Sequence, residues 1–290
     1  MRILITGTSS GIGAEILKKL SLDSNTIVCG NRTVKSPIDV KLDMASQQSI
    51  RDFVLQFTEQ FDIIILNAGT KSTKKRVEWN GKQINVCRVV NLLANDYLLE
   101  QMSLHQLINK TSKIVFMTSI THWHAVDNPL ECHENDDPTD ETWANQQYPN
   151  TKLGLFFLGR KMKKLNKNYD IILVNPGMVA TKIFGDNEKN GLIPSSIRYI
   201  REFLSFTPSE SAQYIVESIL TEPTDKSKEF RYFTPYQTHP LFEFCDSTQM
   251  LQDVFGRRLL YRTNTESDNF AKRVFDMRVE SNYMKYLNCK

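Results

Sequence analysis

Tyr148 and Lys152 stand four residues apart, a spacing that projects both side chains from one face of a helix. An ammonium beside a phenol favours the phenolate and lowers a pKa that ordinarily lies near about 10. Such a phenol gives a proton to a carbonyl oxygen, or takes one from an alcohol, as a general acid or base. Any exposed amphipathic helix could carry the same pair, so its surroundings decide. Twenty-nine residues upstream, Ser119 closes a β-rich run. Near the start of the chain, Thr6-Gly7-Thr8-Ser9-Ser10-Gly11-Ile12-Gly13 joins an apolar run to a helical stripe. Glycines there permit a tight turn and let a pyrophosphate approach the backbone, and a helix N-terminus offers N–H donors and a positive dipole end. Gly and Ser also make ordinary turns. The setting, strand before and helix after, favours a dinucleotide.

These groups need a scaffold, and the first two-thirds of the chain supplies its pattern. Short β-rich runs over residues 2–6, 26–30, 38–42, 62–66, 113–118 and 170–175 alternate with helical stripes. The stripes are Ile12, Ile16, Leu20; Ile50, Phe53, Val54, Phe57; Val86, Val90, Leu93, Tyr97; and Leu155, Leu158, Met162, Leu165. Stacked βαβ units of this kind predict an α/β fold with a doubly wound parallel sheet and helices on both faces. Residues 122–145 are rich in acidic side chains and read as a solvated loop or lid. Pro149 directly after Tyr148 places the start of the following helix close to the tyrosine. The expectation is a single domain over 1–290, with a cofactor-binding and catalytic core over 1–180 and a substrate lid and C-terminal elaboration over 181–290.

In order along the chain, six motifs resemble the short-chain dehydrogenase/reductase family. They are the T-G-x-x-x-G-x-G turn, Asn67-Ala68-Gly69, Asn91, Ser119, Tyr148-x-x-x-Lys152 and Asn175-Pro176-Gly177-Met178-Val179-Ala180-Thr181. The resemblance implies a Rossmann-type fold and catalytic roles for Asn91, Ser119, Tyr148 and Lys152. In that scheme Ser119 fixes the substrate oxygen, Lys152 reaches the nicotinamide ribose, and Asn91 supports Lys152 through a water relay. It also implies cofactor contacts from Gly7, Ser9, Ser10, Gly11, Ile12, Gly13, Asn67, Ala68, Gly69, Tyr148 and Lys152. Pro176, Gly177, Val179 and Thr181 would lie beside the nicotinamide. Asp43 and Met44 would lie at the adenine, although Asp43 also suits an N-cap.

Cofactor preference turns on the end of the second strand, where NAD sites place a carboxylate against the ribose 2′-hydroxyl. Asn31 and Arg32 stand there instead, so a guanidinium is available to a 2′-phosphate and NADP(H) is expected over NAD(H). The Ser119–Tyr148 gap and the segments Thr207–Ala212 and Ala271–Phe275 resemble the retinol-dehydrogenase-like branch, which implies a hydrophobic aldehyde, ketone or alcohol. Ile193, Ile197, Ile200 and Leu204 would form an apolar lid, or equally ordinary core. Two other readings stay open: an NAD-linked alcohol dehydrogenase for a retinol- or sterol-like substrate, and a dinucleotide-sensing scaffold without turnover.

Composition narrows the field. Thirty-six Lys and Arg against 33 Asp and Glu leave a net charge of +3, too small to point to nucleic acid or an anionic membrane surface. No apolar run approaches the roughly 20 residues of a membrane span, and no secretory signal is recognisable. A cytoplasmic protein is expected, with peripheral lipid contact or homo-oligomerisation left open. Five scattered cysteines fit a reducing compartment. His122, His124, Cys132 and His133 match no zinc spacing, so no metal is expected and they read as solvated loop residues, with His122 near the substrate mouth. Lys71, Lys74, Lys75 and Arg76 read as a solvated basic face.

Overall fold

The computed structural model describes residues 1–71, 73–125, 141–177, 179, 206–222, 230–234 and 277–287. Residues 126–140 of the expected acidic loop, Thr181, the apolar lid, and Cys132 and His133 lie outside the described residues, while residues 141–145, expected in that loop, are helical. Seven strands form one parallel sheet: β1 (Arg2–Thr6), β2 (Thr26–Asn31), β3 (Asp39–Lys41), β4 (Phe61–Leu66), β7 (Ile108–Met117), β8 (Asp170–Val174) and β9 (Arg231–Phe233). Their order is β3-β2-β1-β4-β7-β8-β9. The chain winds outward from β1 in one direction and then from β4 in the other. This is the doubly wound Rossmann-type arrangement, with its switch point between β1 and β4.

The helices are α1 (Gly11–Leu20), α2 (Gln47–Val54), α3 (Val86–Arg88), α4 (Ala94–Leu104), α5 (Glu141–Leu165), α6 (Pro208–Leu220) and α7 (Met277–Leu287). Strand side chains alternate between the two faces, as a period of two requires. Ile3, Ile5, Ile63, Ile65, Val115 and Val174 pack with α1 and α6 through Ile16, Leu20, Ile215 and Ile219. Leu4, Ile64, Leu66, Phe116 and Leu173 pack on the other side with α2, α4 and α5 through Phe53, Leu98, Met102, Phe156 and Leu158. Both faces are dry, which explains why the strands read as continuous apolar runs. Leu165 departs from its expected stripe: at the last residue of α5 it is exposed.

Several elements differ from expectation, and β9 adds a seventh strand to the sheet from the region expected to be C-terminal elaboration. Helix α5 does not begin at Tyr148 but at Glu141, with Pro149 inside it. A proline fits no helix interior on local grounds, and tertiary contacts hold the turn before it: the Gln146 side-chain amide donates to the His124 carbonyl. The expected basic face contains a hairpin, β5 (Arg76–Trp79) and β6 (Lys82–Asn85), turned at Asn80 and Gly81 with φ of 50° and 74°. Asn-Gly is the strongest short-range signal for such a turn. Trp79 buries its ring from this hairpin edge-on against Tyr97, 5.8 Å between centroids.

Candidate active site

The carboxyl ends of β1 and β4 meet at the switch point, where a cradle is built around absent side chains. Gly7 and Gly11 have φ of +74° and +62°, the left-handed region that favours glycine. A Cβ on Gly13 would lie 2.1 Å from the Gly7 carbonyl oxygen and 2.4 Å from Asn67 Nδ2. Asn67 closes the turn by donating from Nδ2 to the carbonyls of Thr6 and Gly7, at 3.0 and 2.8 Å. Thr6 Oγ1 accepts from the Asn67 and Ala68 amides. Ser10 is the N-cap of α1 but makes no side-chain cap, and Ser9 and Ser10 are exposed. The first N–H groups of α1 therefore receive no cap from the Ser10 side chain and follow a backbone poor in side chains, which fits a pyrophosphate.

Asn31 turns inward rather than toward a ligand. Its Oδ1 accepts from the Thr8 amide at 2.8 Å, and its Nδ2 donates to Thr8 Oγ1 and Asp39 Oδ1, both at 2.7 Å. Asp39 accepts as well from the Lys35 and Ser36 amides. Desolvation would raise the Asp39 carboxyl, but these hydrogen bonds outweigh it and hold it below its ordinary value. Arg32, next along, is exposed and makes no hydrogen bond or ion pair with the described residues. Asp43 is not the N-cap of α2. Ser46 is, accepting from the Ser49 amide at 3.2 Å, while Asp43 accepts from Ala45 in an Asx turn. Met44 is buried in the core.

The expected catalytic side chains come from three elements. Ser119 follows β7 and caps a 3₁₀ turn (Ile120–His124), its hydroxyl accepting from the Thr121 amide at 3.3 Å. Tyr148 and Lys152 lie one turn apart on α5. Asn91 lies in a π turn (Val89–Leu93) between α3 and α4. A π turn loosens the helix ladder, and Asn95 Nδ2 donates to the Asn91 carbonyl at 2.8 Å, satisfying it from the side. The Asn91 amide clasps the loop after Gly69, accepting from Thr70 N at 2.7 Å and donating to Thr70 O at 2.8 Å. It also donates to Cys87 Sγ at 3.2 Å and Thr151 Oγ1 at 3.4 Å. Lys152 Nζ donates to the Met117 carbonyl at 2.7 Å. Asn91 thus approaches Lys152 through Cys87 and Thr151, with no direct hydrogen bond between them among those described.

The electrostatics correct one expectation. Desolvation pushes the Tyr148 phenol up to about 12, against a lowering hydrogen bond with Ser119 and with a further rise from Cys87. Burial pulls the Lys152 ammonium down to about 8. The expected acidification by Lys152 is not what decides the phenol's acidity: the lowering influence is the Ser119 hydrogen bond, and the removal of water outweighs it. Cys87 joins this cluster without any sequence signal. It is buried, and its thiol is pushed up to about 12 by desolvation, so it stays protonated.

His122 is not a solvated loop residue. It is 2% exposed, with its ring 5.0 Å from Phe156 and 6.1 Å from Tyr232, and its Nδ1 bonds the Ser119 carbonyl. Burial lowers its pKa to about 4, so it is neutral and serves to fix the backbone of Ser119. Beyond β8, Asn175 Oδ1 accepts from Gly177 N at 3.1 Å, and Gly177 has φ +82°. Ser211 of α6 donates to the Pro176 carbonyl at 2.9 Å, and Val179 bridges to Phe206, which sets the Pro-Gly turn against the sheet. Among the described residues no cluster of three His, Cys, Asp or Glu could hold a metal, and no helix is long and apolar enough to cross a membrane.

The doubly wound sheet carries the glycine cradle at the end of β1, Ser119 after β7, and Tyr148 and Lys152 on α5, a Rossmann-type arrangement. The sequence model of the short chain dehydrogenase family matches residues 1–128. The chloroplastic short-chain dehydrogenase TIC 32 A of Brassica napus is 26% identical over 207 residues, 62% of this chain and 64% of the relative. The chain thus matches less than two-thirds of that relative's length. Two solved structures share the fold. An alcohol dehydrogenase from Thermococcus sibiricus, complexed with 5-hydroxy-NADP, has a TM-score of 0.58 at 21% identity, covering 80% of this chain and 94% of its own. The 3-alpha-hydroxysteroid dehydrogenase from Pseudomonas sp. B-0831, complexed with NADH, has a TM-score of 0.57 at 18% identity, covering 81% and 94%. Over residues 1–128 the chain is thus similar to the short-chain dehydrogenase/reductase family.

Proposed function

We propose that the protein is an NADP(H)-dependent reductase of a hydrophobic aldehyde or ketone, with Tyr148 as proton donor, akin to carbonyl reductases and the retinol-dehydrogenase-like branch. The observation that carries this reading is the Tyr148 hydroxyl bonded to Ser119, with the buried ammonium of Lys152 one turn along the same helix. A phenol raised to about 12 is fully protonated at neutral pH, the form that an acid catalyst of reduction needs. The dinucleotide, when bound, supplies the hydride.

The chain's own residues would divide the remaining work. Gly7, Gly11, Gly13 and the N-terminus of α1 would take the pyrophosphate. Asp43 and Met44 would lie toward the adenine, and Asn67, Ala68, Gly69, Pro176, Gly177, Val179 and Thr181 would line the path to the nicotinamide. Ser119 would hold the substrate oxygen within reach of Tyr148, and His122 keeps the Ser119 backbone in place. Arg32, exposed beside the uncharged Asn31, would meet a 2′-phosphate, and the Asp39 carboxylate is engaged by Asn31 and by the Lys35 and Ser36 amides. The apolar spacing of Ile193, Ile197, Ile200 and Leu204 supports a hydrophobic substrate.

The test mixes purified protein with NADPH or NADH and aldehydes and ketones of increasing apolar length, following nicotinamide absorbance. Turnover that favours NADPH and the longer carbonyls is expected; no consumption with any carbonyl overturns the reading. Arg32→Ala should reduce the NADPH-over-NADH preference by about tenfold or more, the scale of one charge-assisted hydrogen bond. An unchanged ratio would remove the NADP assignment. The pH profile of reduction should be level through neutrality and fall above about 8, as Lys152 loses its charge while Tyr148 keeps its proton. A rate that climbs through that range contradicts the assignment of Lys152.

A further inference from the structure

We propose that Tyr286 of α7 is a positioning residue for Tyr148, its hydroxyl holding the turn of α5 that Pro149 weakens. This rests on the reading of Tyr148 as proton donor. Pro149 has no N–H to give the carbonyl of Asn145, and its ring crowds that carbonyl. The turn that presents Tyr148 therefore lacks the Pro149–Asn145 rung, and contacts to neighbouring elements help to hold it.

Gln147, the residue before Tyr148, is fully buried, and its Oε1 accepts from the Tyr286 hydroxyl at 3.3 Å. Its Nε2 is buried with no hydrogen-bond partner among the described residues, so Tyr286 is the recorded anchor of that amide. Helix α7 is itself fixed. Tyr283 stacks on Phe157 of α5, 4.7 Å between centroids at 19°. The Arg88 guanidinium of α3 lies 3.8 Å from the Tyr286 ring centroid and donates to the Tyr286 carbonyl. Arg88 is 2% exposed and precedes Asn91 by three residues. A cation held over a ring and hydrogen-bonded to the same residue's backbone leaves that residue little freedom. Tyr286 thereby joins the helix leading to Asn91 with the helix bearing Tyr148 and Lys152. It lies far beyond residues 1–128, which the family's sequence model matches.

The experiment uses the full-length protein as Tyr286→Phe, Gln147→Leu and the double variant. Phenylalanine keeps the ring over Arg88 and the backbone carbonyl, and removes only the hydroxyl. Three quantities are measured: kcat and KM for NADPH-dependent reduction, dinucleotide affinity by fluorescence, and backbone amide exchange by mass spectrometry. Tyr286→Phe should lower kcat about tenfold, the size of one lost hydrogen bond to a buried group, with KM for NADPH and dinucleotide affinity unchanged. The double variant should lose no more than the worse single one, because both changes remove one contact. Exchange should quicken over residues 145–148 and stay as in the parent over Leu155–Leu165. Unchanged exchange over 145–148 overturns the proposal whatever the rate does; faster exchange with an unchanged kcat, or losses that add in the double variant, overturn it too. If the parent protein reduces no carbonyl, the functional reading fails separately, and the positioning claim fails with it.

Discussion

Tyr148→Phe is expected to lower kcat for carbonyl reduction by about two to four orders of magnitude, the contribution of a positioned proton donor. The substitution keeps the ring and removes one oxygen, so neither the packing of α5 nor the glycine cradle is disturbed. Ser119 remains to hold the substrate oxygen, but a serine hydroxyl is a far weaker acid than a phenol and has no ammonium one turn away. Dinucleotide binding should stay within a few-fold of the parent, because the cradle of Gly7, Gly11 and Gly13 lies on other elements. Single-turnover measurement with prebound NADPH, paired with a fluorescence titration, separates the two effects. Turnover within tenfold of the parent would mean that the proton comes from elsewhere, and a dinucleotide sensor without chemistry would then also deserve test.

Gly13→Ala should abolish dinucleotide binding and destabilise the fold by about 1–3 kcal/mol or more, the usual penalty for forcing a group into packed space. The new methyl would lie 2.1 Å from the Gly7 carbonyl oxygen, an atom held by its own turn and by Asn67 Nδ2. Relief requires the Gly7 backbone to move, and the Gly7 amide is bonded to the Gly30 carbonyl at 2.9 Å. The conflict therefore spreads from the turn into the β1–β2 pair. Gly81→Ala is the fitting control. A Cβ there meets nothing within 4 Å, so the loss comes only from its φ of +74°, roughly 1–2 kcal/mol, with no effect on the dinucleotide. Thermal unfolding and dinucleotide titration measure both. Equal behaviour of the two variants would show that the cradle is looser than described.

Much of this was legible in the residues themselves. Parallel strands buried on both faces declare themselves as apolar runs, and a glycine turn is a local matter of spacing, so the sheet and cradle could be read directly. Four of the six motifs likewise lie at strand ends, where local signals are strongest, while Asn91 and the Tyr148–Lys152 pair lie within helical segments. What escaped was long-range. Burial of His122 depends on Phe156 and Tyr232, thirty-four and 110 residues away in the chain. The start of α5 before Pro149 depends on contacts with His124 and Tyr286 that override local preference. Water removal around Tyr148 reversed the expected direction of its acidity, and that depends on the whole assembled site. The hairpin at Asn80-Gly81 is different, since its turn residues announce it.

The amide of Asn31 also bears on how cofactor choice could drift in descendants of this chain. An aspartate at that position, as NAD sites prefer, would place a second carboxylate where Nδ2 now meets Asp39 Oδ1 at 2.7 Å. Two such groups cannot both stay ionised at that distance. The tie to Thr8 could persist, since the Thr8 amide already donates to this side chain and the Thr8 hydroxyl, now an acceptor, can donate instead. An aspartate at position 31 would therefore be accommodated only with an uncharged partner in place of Asp39, so the two positions are tied to one another.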